Sequence, residues 1–179
     1  MFWRCEVWER QVSPGCWPDC DMLPLGRIRL HLRGFSQEST WTKFTPEEQI
    51  TMMSLWCIFR SPLIMGGEMR ENDEFTLSLL TNREILDMHH FGEGAHQIYR
   101  TEKACAWRSV DTRNGSVYVA LFNLSDQEQE ITACFQELEL SGAYTARELW
   151  THQDQGTVEE KLAAVLPKHG AAVYRLSQQ

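Results

Sequence analysis

Two different hydrophobic periodicities divide the chain. Positions 50–59 are apolar around more than half of a helical circumference, through Ile50, Met52, Met53, Leu55, Trp56, Cys57 and Ile58. A helix of that kind expects cover on most of its sides. Its start is marked by Thr45-Pro46-Glu47-Glu48: Thr45 suits the cap, Pro46 the first turn, and Glu48 closes a capping box. Ser61-Pro62 ends it, because proline disfavours helix at the preceding residue. Leu63-Ile64-Met65 followed by Gly66-Gly67 predicts a short buried strand bounded by a turn. A second helical pattern covers about 72–88, and Thr81-Asn82-Arg83-Glu84 repeats the capping spacing inside it. A break is therefore expected there. Helix, strand and helix in succession predict α/β architecture with parallel strands.

The pattern changes near Phe91-Gly92-Glu93-Gly94. Beyond it, short β segments are predicted at 104–110, 117–124, 130–135, 144–150 and 171–176. Asn114-Gly115 between the first two signals a tight hairpin in which both residues take positive φ. Several short strands separated by turns predict an antiparallel β-sandwich. The chain thus divides into an α/β region, residues 1–96, and an all-β region, residues 97–179.

Charge and composition narrow the chemistry. The 179 residues carry 17 basic and 25 acidic side chains, a net charge of −8, which argues against a protein built to grip nucleic-acid phosphates. No apolar run of about 18 residues occurs, so no transmembrane helix is expected. Charged residues stand early, at Arg4 and Glu6, where a secretion signal needs its apolar stretch. Six cysteines spread over this length do not form a dense disulfide framework. Reduced, structural thiols and a cytoplasmic location are expected, with Cys57 and Cys134 buried in apolar runs.

The densest chemical signal is Gly15-Cys16-Trp17-Pro18-Asp19-Cys20-Asp21-Met22-Leu23. In an extended backbone Asp19 and Asp21 point to one face, where carboxylates accept hydrogen bonds from vicinal sugar hydroxyls and Trp17 offers a flat surface to a pyranose ring. The alternative is a solvated acidic turn, or Asp19 capping backbone amides. Zinc is a weaker rival: Cys16, Cys20, Asp19, Asp21 and His31 are suitable ligand types, but no second pair stands at zinc-site spacing. His89-His90 fit a polar helix end, where protonated imidazole suits the dipole. No Gly-x-Ser-x-Gly elbow, P-loop or dinucleotide fingerprint occurs, so no cofactor and no metal are expected.

Taken in order, Trp17-Pro18-Asp19-x-Asp21-Met22-Leu23, Thr45-Pro46-Glu47-Glu48-Gln49, Met53-Ser54-Leu55-Trp56, Ser61-Pro62-Leu63-Ile64-Met65-Gly66-Gly67 and Leu77-Ser78-Leu79-Leu80-Thr81-Asn82 resemble the closing part of the α-galactosidase-like glycoside hydrolases, the family shared with α-N-acetylgalactosaminidases. The terminal Pro167-Lys168-His169-Gly170-Ala171-Ala172-Val173-Tyr174-Arg175-Leu176 resembles the end of that family's C-terminal sandwich. The resemblance implies the last strands and helices of a (β/α)8 barrel followed by an antiparallel β-sandwich. The Trp-Pro-Asp segment would then end the seventh barrel strand, and residues 63–67 would form the eighth. It implies that Asp21 hydrogen-bonds the sugar, that Met22 lines the pocket, and that Asp19 is a supporting carboxylate.

The family cleaves terminal α-galactosides with retention, using two aspartates that both precede this motif by more residues than stand before it here. No catalytic residue is therefore expected within the chain, and a complete barrel needs about 250 residues. Retaining chemistry also wants carboxylates about 5–5.5 Å apart on opposite sides of the bond, which an i, i+2 pair does not provide. The expectation is a fragment inactive alone, acting on α-galactosides once the barrel is completed and able to associate through its open barrel edge. A non-catalytic carbohydrate-binding or interaction module, or a truncated gene product, is the alternative.

Overall fold

The computed structural model describes residues 1–28 and 40–179. It opens with helix α1 (Phe2–Trp8) and a 3-10 turn (Glu9–Gln11), then a small antiparallel pair, β1 (Arg27–Ile28) with β2 (Thr40–Trp41). Three helices follow: α2 (Pro46–Phe59), α3 (Glu74–Thr81) and α4 (Arg83–Phe91). Eight strands complete the chain: β3 (Gly92–Arg100), β4 (Ala104–Asp111), β5 (Val117–Asn123), β6 (Gln129–Cys134), β7 (Tyr144–Glu148), β8 (Gln153–Val158), β9 (Lys161–Leu166) and β10 (Ala171–Gln178). Six of them form one antiparallel sheet in the order β3-β4-β5-β10-β7-β8, and β6 pairs with β9 in a second sheet.

Local chemistry sets the helix limits. The Thr45 hydroxyl accepts from the Glu48 amide and the Glu48 carboxylate accepts from the Thr45 amide, a complete capping box at the start of α2. The helix stops at Arg60, whose left-handed φ of 63° lets the Ser61 amide reach back to the Trp56 carbonyl. The expected break lies at Asn82, which separates α3 from α4. Asn82 Oδ1 accepts from the Glu84 and Ile85 amides, while its Nδ2 donates to the buried Leu149 carbonyl. Replacing Asn82 with Ala removes a cap and orphans that carbonyl together, so about 1–3 kcal/mol of stability should be lost in urea unfolding.

The sheet is covered on both faces, and the two-residue alternation of β5 shows how. Tyr118, Ala120 and Phe122 join the core beneath the helices, whereas Val117, Val119 and Leu121 join the core beneath β6 and β9. The helix-side core is continuous with the first half of the chain: Cys5, Cys20, Leu23, Leu25, Met53 and Phe59 pack with Trp107 and Phe122. The rings of Phe59 and Trp107 meet edge to face at 6.0 Å, and those of Phe2 and Phe122 at 4.9 Å. The cover that α2 required comes from this sheet.

Several sequence expectations are corrected. Helix α1 and strands β3, β8 and β9 were not foreseen, and residue 96 lies inside β3, which begins directly after α4. Strand β8 is almost wholly exposed, so no apolar alternation marks it. Residues 63–67 are half-buried, with Ile64 exposed, rather than buried, and among the described residues their parallel pairing is one bridge, Met65 opposite Leu23. In the β4–β5 turn only Gly115 takes positive φ, at 75°. The Asp111 carbonyl accepts from both the Asn114 and Gly115 amides, which makes a longer loop than a two-residue hairpin. Cys134 is exposed, because alternation along β6 turns Ile131 and Ala133 inward instead.

Candidate functional site

The segment from Ser13 to Leu23 is built by turns rather than by an extended strand. Ser13 and Cys16 exchange backbone hydrogen bonds of 2.8 and 3.0 Å around Gly15, whose φ of 86° suits glycine. Asp19 Oδ1 accepts from the Asp21 amide at 2.8 Å, and Asp21 Oδ1 accepts from the Met22 amide at 2.7 Å. Asp21 has φ of 81°, a strained region for a residue with a Cβ, although aspartate tolerates it better than most. The same-face geometry expected of an extended Asp-x-Asp is therefore replaced by an aspartate turn, with Asp19 capping backbone.

Two other elements hold this conformation in place. The Trp56 indole, near the end of α2, donates to the Asp21 carbonyl at 2.8 Å, and Ser61 Oγ accepts from the Cys20 amide at 2.9 Å. The Leu23 amide donates to the Ile64 carbonyl and the Gly66 amide donates to the Leu23 carbonyl, both at 2.8 Å. Asp21 stands two residues before that parallel bridge. A Cβ at Gly67 would overlap the Leu25 carbonyl oxygen, so the close approach of these two segments requires glycine there.

Trp17, Asp19 and Asp21 face one open cavity of about 760 Å³, whose other wall is α1 with Trp3, Arg4 and Trp8. Met22 is exposed and does not line it. Arg60 stacks its guanidinium 5.9 Å from the Trp17 ring centroid, a geometry that stiffens a platform for an apolar ring face. Indole faces beside carboxylate acceptors suit a hydroxylated ring. With Asp19 Oδ1 committed to the Asp21 amide, the pair holds and positions a ligand more readily than it attacks or protonates one. Trp56, Ser61 and the α1 side chains escaped sequence reasoning, which had no reason to place α1 opposite Trp17. The exposed Trp3, Val7 and Trp8 were the available signal, an apolar stripe on a helix too short to announce itself.

The zinc ligand set is not assembled among the described residues, where no group of three or more suitable side chains converges. Cys16 is exposed, Cys20 points into the core beside Cys5, and His31 lies outside the described residues. At the end of α4, His89 Nε2 donates to the Ser61 carbonyl at 2.8 Å. Burial pushes its pKa below the ordinary histidine value, with Arg60 and His90 acting in the same direction against that bond. The protonated imidazole expected at this helix end is therefore not the form of His89 at neutral pH.

Comparison with known proteins places the fold. Residues 106–176 match the family model described as the α-galactosidase C-terminal β-sandwich domain. α-Galactosidase 2 of Arabidopsis thaliana is 26% identical over 178 residues, covering 97% of this chain and 41% of that protein. The crystal structure of a GH27 β-L-arabinopyranosidase from Geobacillus stearothermophilus superimposes with a TM-score of 0.94 at 44% identity, covering 99% of this chain and 41% of that one. The chain has the fold and sequence of the C-terminal portion of an α-galactosidase-like glycoside hydrolase. It spans about two fifths of the length of these relatives. α-Galactosidase I from Mortierella vinacea, 20% identical with a TM-score of 0.82, shares the fold. The chain is thus the end of a (β/α)8 barrel followed by an antiparallel sandwich, and residues 106–176 belong to that sandwich.

Proposed function

We propose that the chain supplies one wall of the sugar site, together with the accessory sandwich, of a retaining α-galactosidase-type glycosidase. Asp21 grips ring hydroxyls, Trp17 presents a flat face, and Asp19 fixes the Asp21 backbone. The observation that carries this reading is the exposed Asp21 carboxylate, held at an otherwise unfavourable φ by Asp19, Trp56 and the Met22 amide. Strain maintained around one exposed polar group is a mark of a functional position. The two reacting carboxylates are supplied by polypeptide outside these 179 residues, so the chain alone binds and does not hydrolyse.

A second sugar is favoured by a specific observation. The 44% identical relative acts on β-L-arabinopyranosides, which share the ring stereochemistry of α-D-galactosides and lack only the exocyclic hydroxymethyl group. Calorimetry of the purified chain with galactose, raffinose and L-arabinose should show millimolar binding to at least one, weakened tenfold or more in Asp21→Asn. No release of nitrophenol from the α-galactoside or the β-L-arabinopyranoside is expected. Turnover abolished by Asp21→Ala would overturn the assignment of roles, and equal sugar affinity in Asp21→Asn would remove Asp21 from the site.

A further inference from the structure

The sugar site has a second chemistry built into its floor. Cys5, on α1, and Cys20, between Asp19 and Asp21, bring their sulfurs within 3.6 Å of each other. Both residues are buried, at 1% and 5% exposure, yet both reach the wall of the cavity that Trp17 and Asp21 share. A small oxidant entering that cavity meets them there. Each sits on an element anchored elsewhere. Helix α1 is tied to the sheet by Phe2 against Phe122 and by Glu6 to Arg100 at 3.1 Å, and Cys20 is held through its amide by Ser61. The pair is thus set by packing on both sides, not by proximity in sequence.

We propose that Cys5 and Cys20 form a reversible dithiol–disulfide site that locks α1 onto the Asp21 segment. The sulfurs must close from 3.6 Å to a bond of about 2.0 Å, a shift within reach of side-chain rotation. Cys20 is the attacking thiol. Hydrogen bonding from Cys5, assisted by Ser61, holds its pKa below the ordinary value against the effect of burial, while the same contact pushes Cys5 up. With a hydroperoxide as oxidant, the Cys20 thiolate attacks the terminal oxygen. A sulfur–oxygen bond forms, the oxygen–oxygen bond breaks, and the leaving oxygen takes up a proton. Cys5 sulfur then attacks the resulting sulfenic sulfur, the sulfur–sulfur bond forms, and water leaves with the Cys5 proton. Two thiols and one peroxide give one disulfide and two oxygen-bearing leaving molecules, water when the oxidant is hydrogen peroxide. A dithiol reductant reverses the lock.

Exposed Cys16 lines the same cavity and is the competing partner, so the test must separate it from Cys20. The folded full-length chain is treated with hydrogen peroxide near equivalence and its thiols are alkylated. It is then digested without reduction using trypsin, which parts Cys5 from Cys16 after Arg10, together with a protease that cuts before aspartate, which parts Cys16 from Cys20 at Asp19. The expected result is a fall from six alkylated cysteines to four, a mass lower by two hydrogens, and a linked peptide joining Cys5 to Cys20, all restored by dithiothreitol. The Cys16→Ser protein should give the same link at the same rate. Six alkylatable thiols after peroxide, a link through Cys16, or overoxidation of Cys20 without a link would each overturn the proposal. None of these outcomes depends on sugar binding, so the site stands or falls apart from the proposed function.

Discussion

Asp111→Ala should lower the unfolding free energy by about 1–3 kcal/mol, the cost of leaving a buried hydroxyl without its charged acceptor. Asp111, at the end of β4, is fully buried. Its carboxylate accepts from Arg113 Nη2 at 2.7 Å, from Arg113 Nε at 3.0 Å, from the Arg113 amide at 2.9 Å and from the Tyr118 hydroxyl at 2.6 Å. Removing it leaves the buried Tyr118 phenol without its acceptor and the Arg113 guanidinium with Asp87 alone. The loss also travels to the helices, because Arg113 bonds Asp87 of α4 at 3.0 Å and lies 3.9 Å over the Phe91 ring.

The same group gives a pH dependence of known sign. Hydrogen bonds from Arg113, then from Tyr118, hold the Asp111 carboxyl at about 2, against an opposing effect of burial. A depressed carboxylate pKa stabilises the fold at pH values above the unfolded value near 4, and that stability is lost as pH falls through about 2. The contribution is on the order of 2 kcal/mol. Asp111→Asn should therefore flatten the stability profile between about pH 4 and 2, measured by urea titration at each pH. A loss under 1 kcal/mol for Asp111→Ala at pH 7, or a profile unchanged in Asp111→Asn, would show that the network does not behave as drawn.

Trp107→Ala should cost about 3–5 kcal/mol for a different reason, the cavity left by a large fully buried side chain. Trp107 projects from β4 into the helix-side core and meets Phe59 of α2 edge to face. Its loss loosens the helices from the sheet while leaving the opposite core, with Val119, Leu121 and Ile131, in place. Amides of α2 should therefore gain hydrogen-exchange rate more than those of β6 and β9. Uniform acceleration across both faces would contradict the layered packing.

What could be read beforehand follows from which signals are local. The capping box at Thr45, the stop ahead of Pro62, the break at Asn82 and the apolar run of β5 are all written within a few residues, and each stands where it was expected. Strand β8 was hidden because its residues are exposed, and β3 because two register shifts interrupt its alternation. At the site, the choice of Trp17, Asp19 and Asp21 came from the spacing of the Trp-Pro-Asp-x-Asp segment and from the family that segment resembles. The turn that Asp19 imposes on Asp21 was legible as an alternative, since aspartate commonly bonds an amide two residues ahead. The support from Trp56 and Ser61, and the meeting of Cys5 with Cys20 across 15 positions, depend on tertiary packing that no local pattern records.

The single core beneath the helices bears on how such proteins are divided. The stretch matched by the sandwich family model begins at residue 106, within β4, and leaves out β3 and every helix. Cut there, the sheet would present Trp107, Tyr118, Phe122 and Val173 to water, an oily surface normally roofed by α2. The part most easily recognised by its letters is thus smaller than the part that covers its own core, and expression boundaries for this sandwich belong upstream of α2.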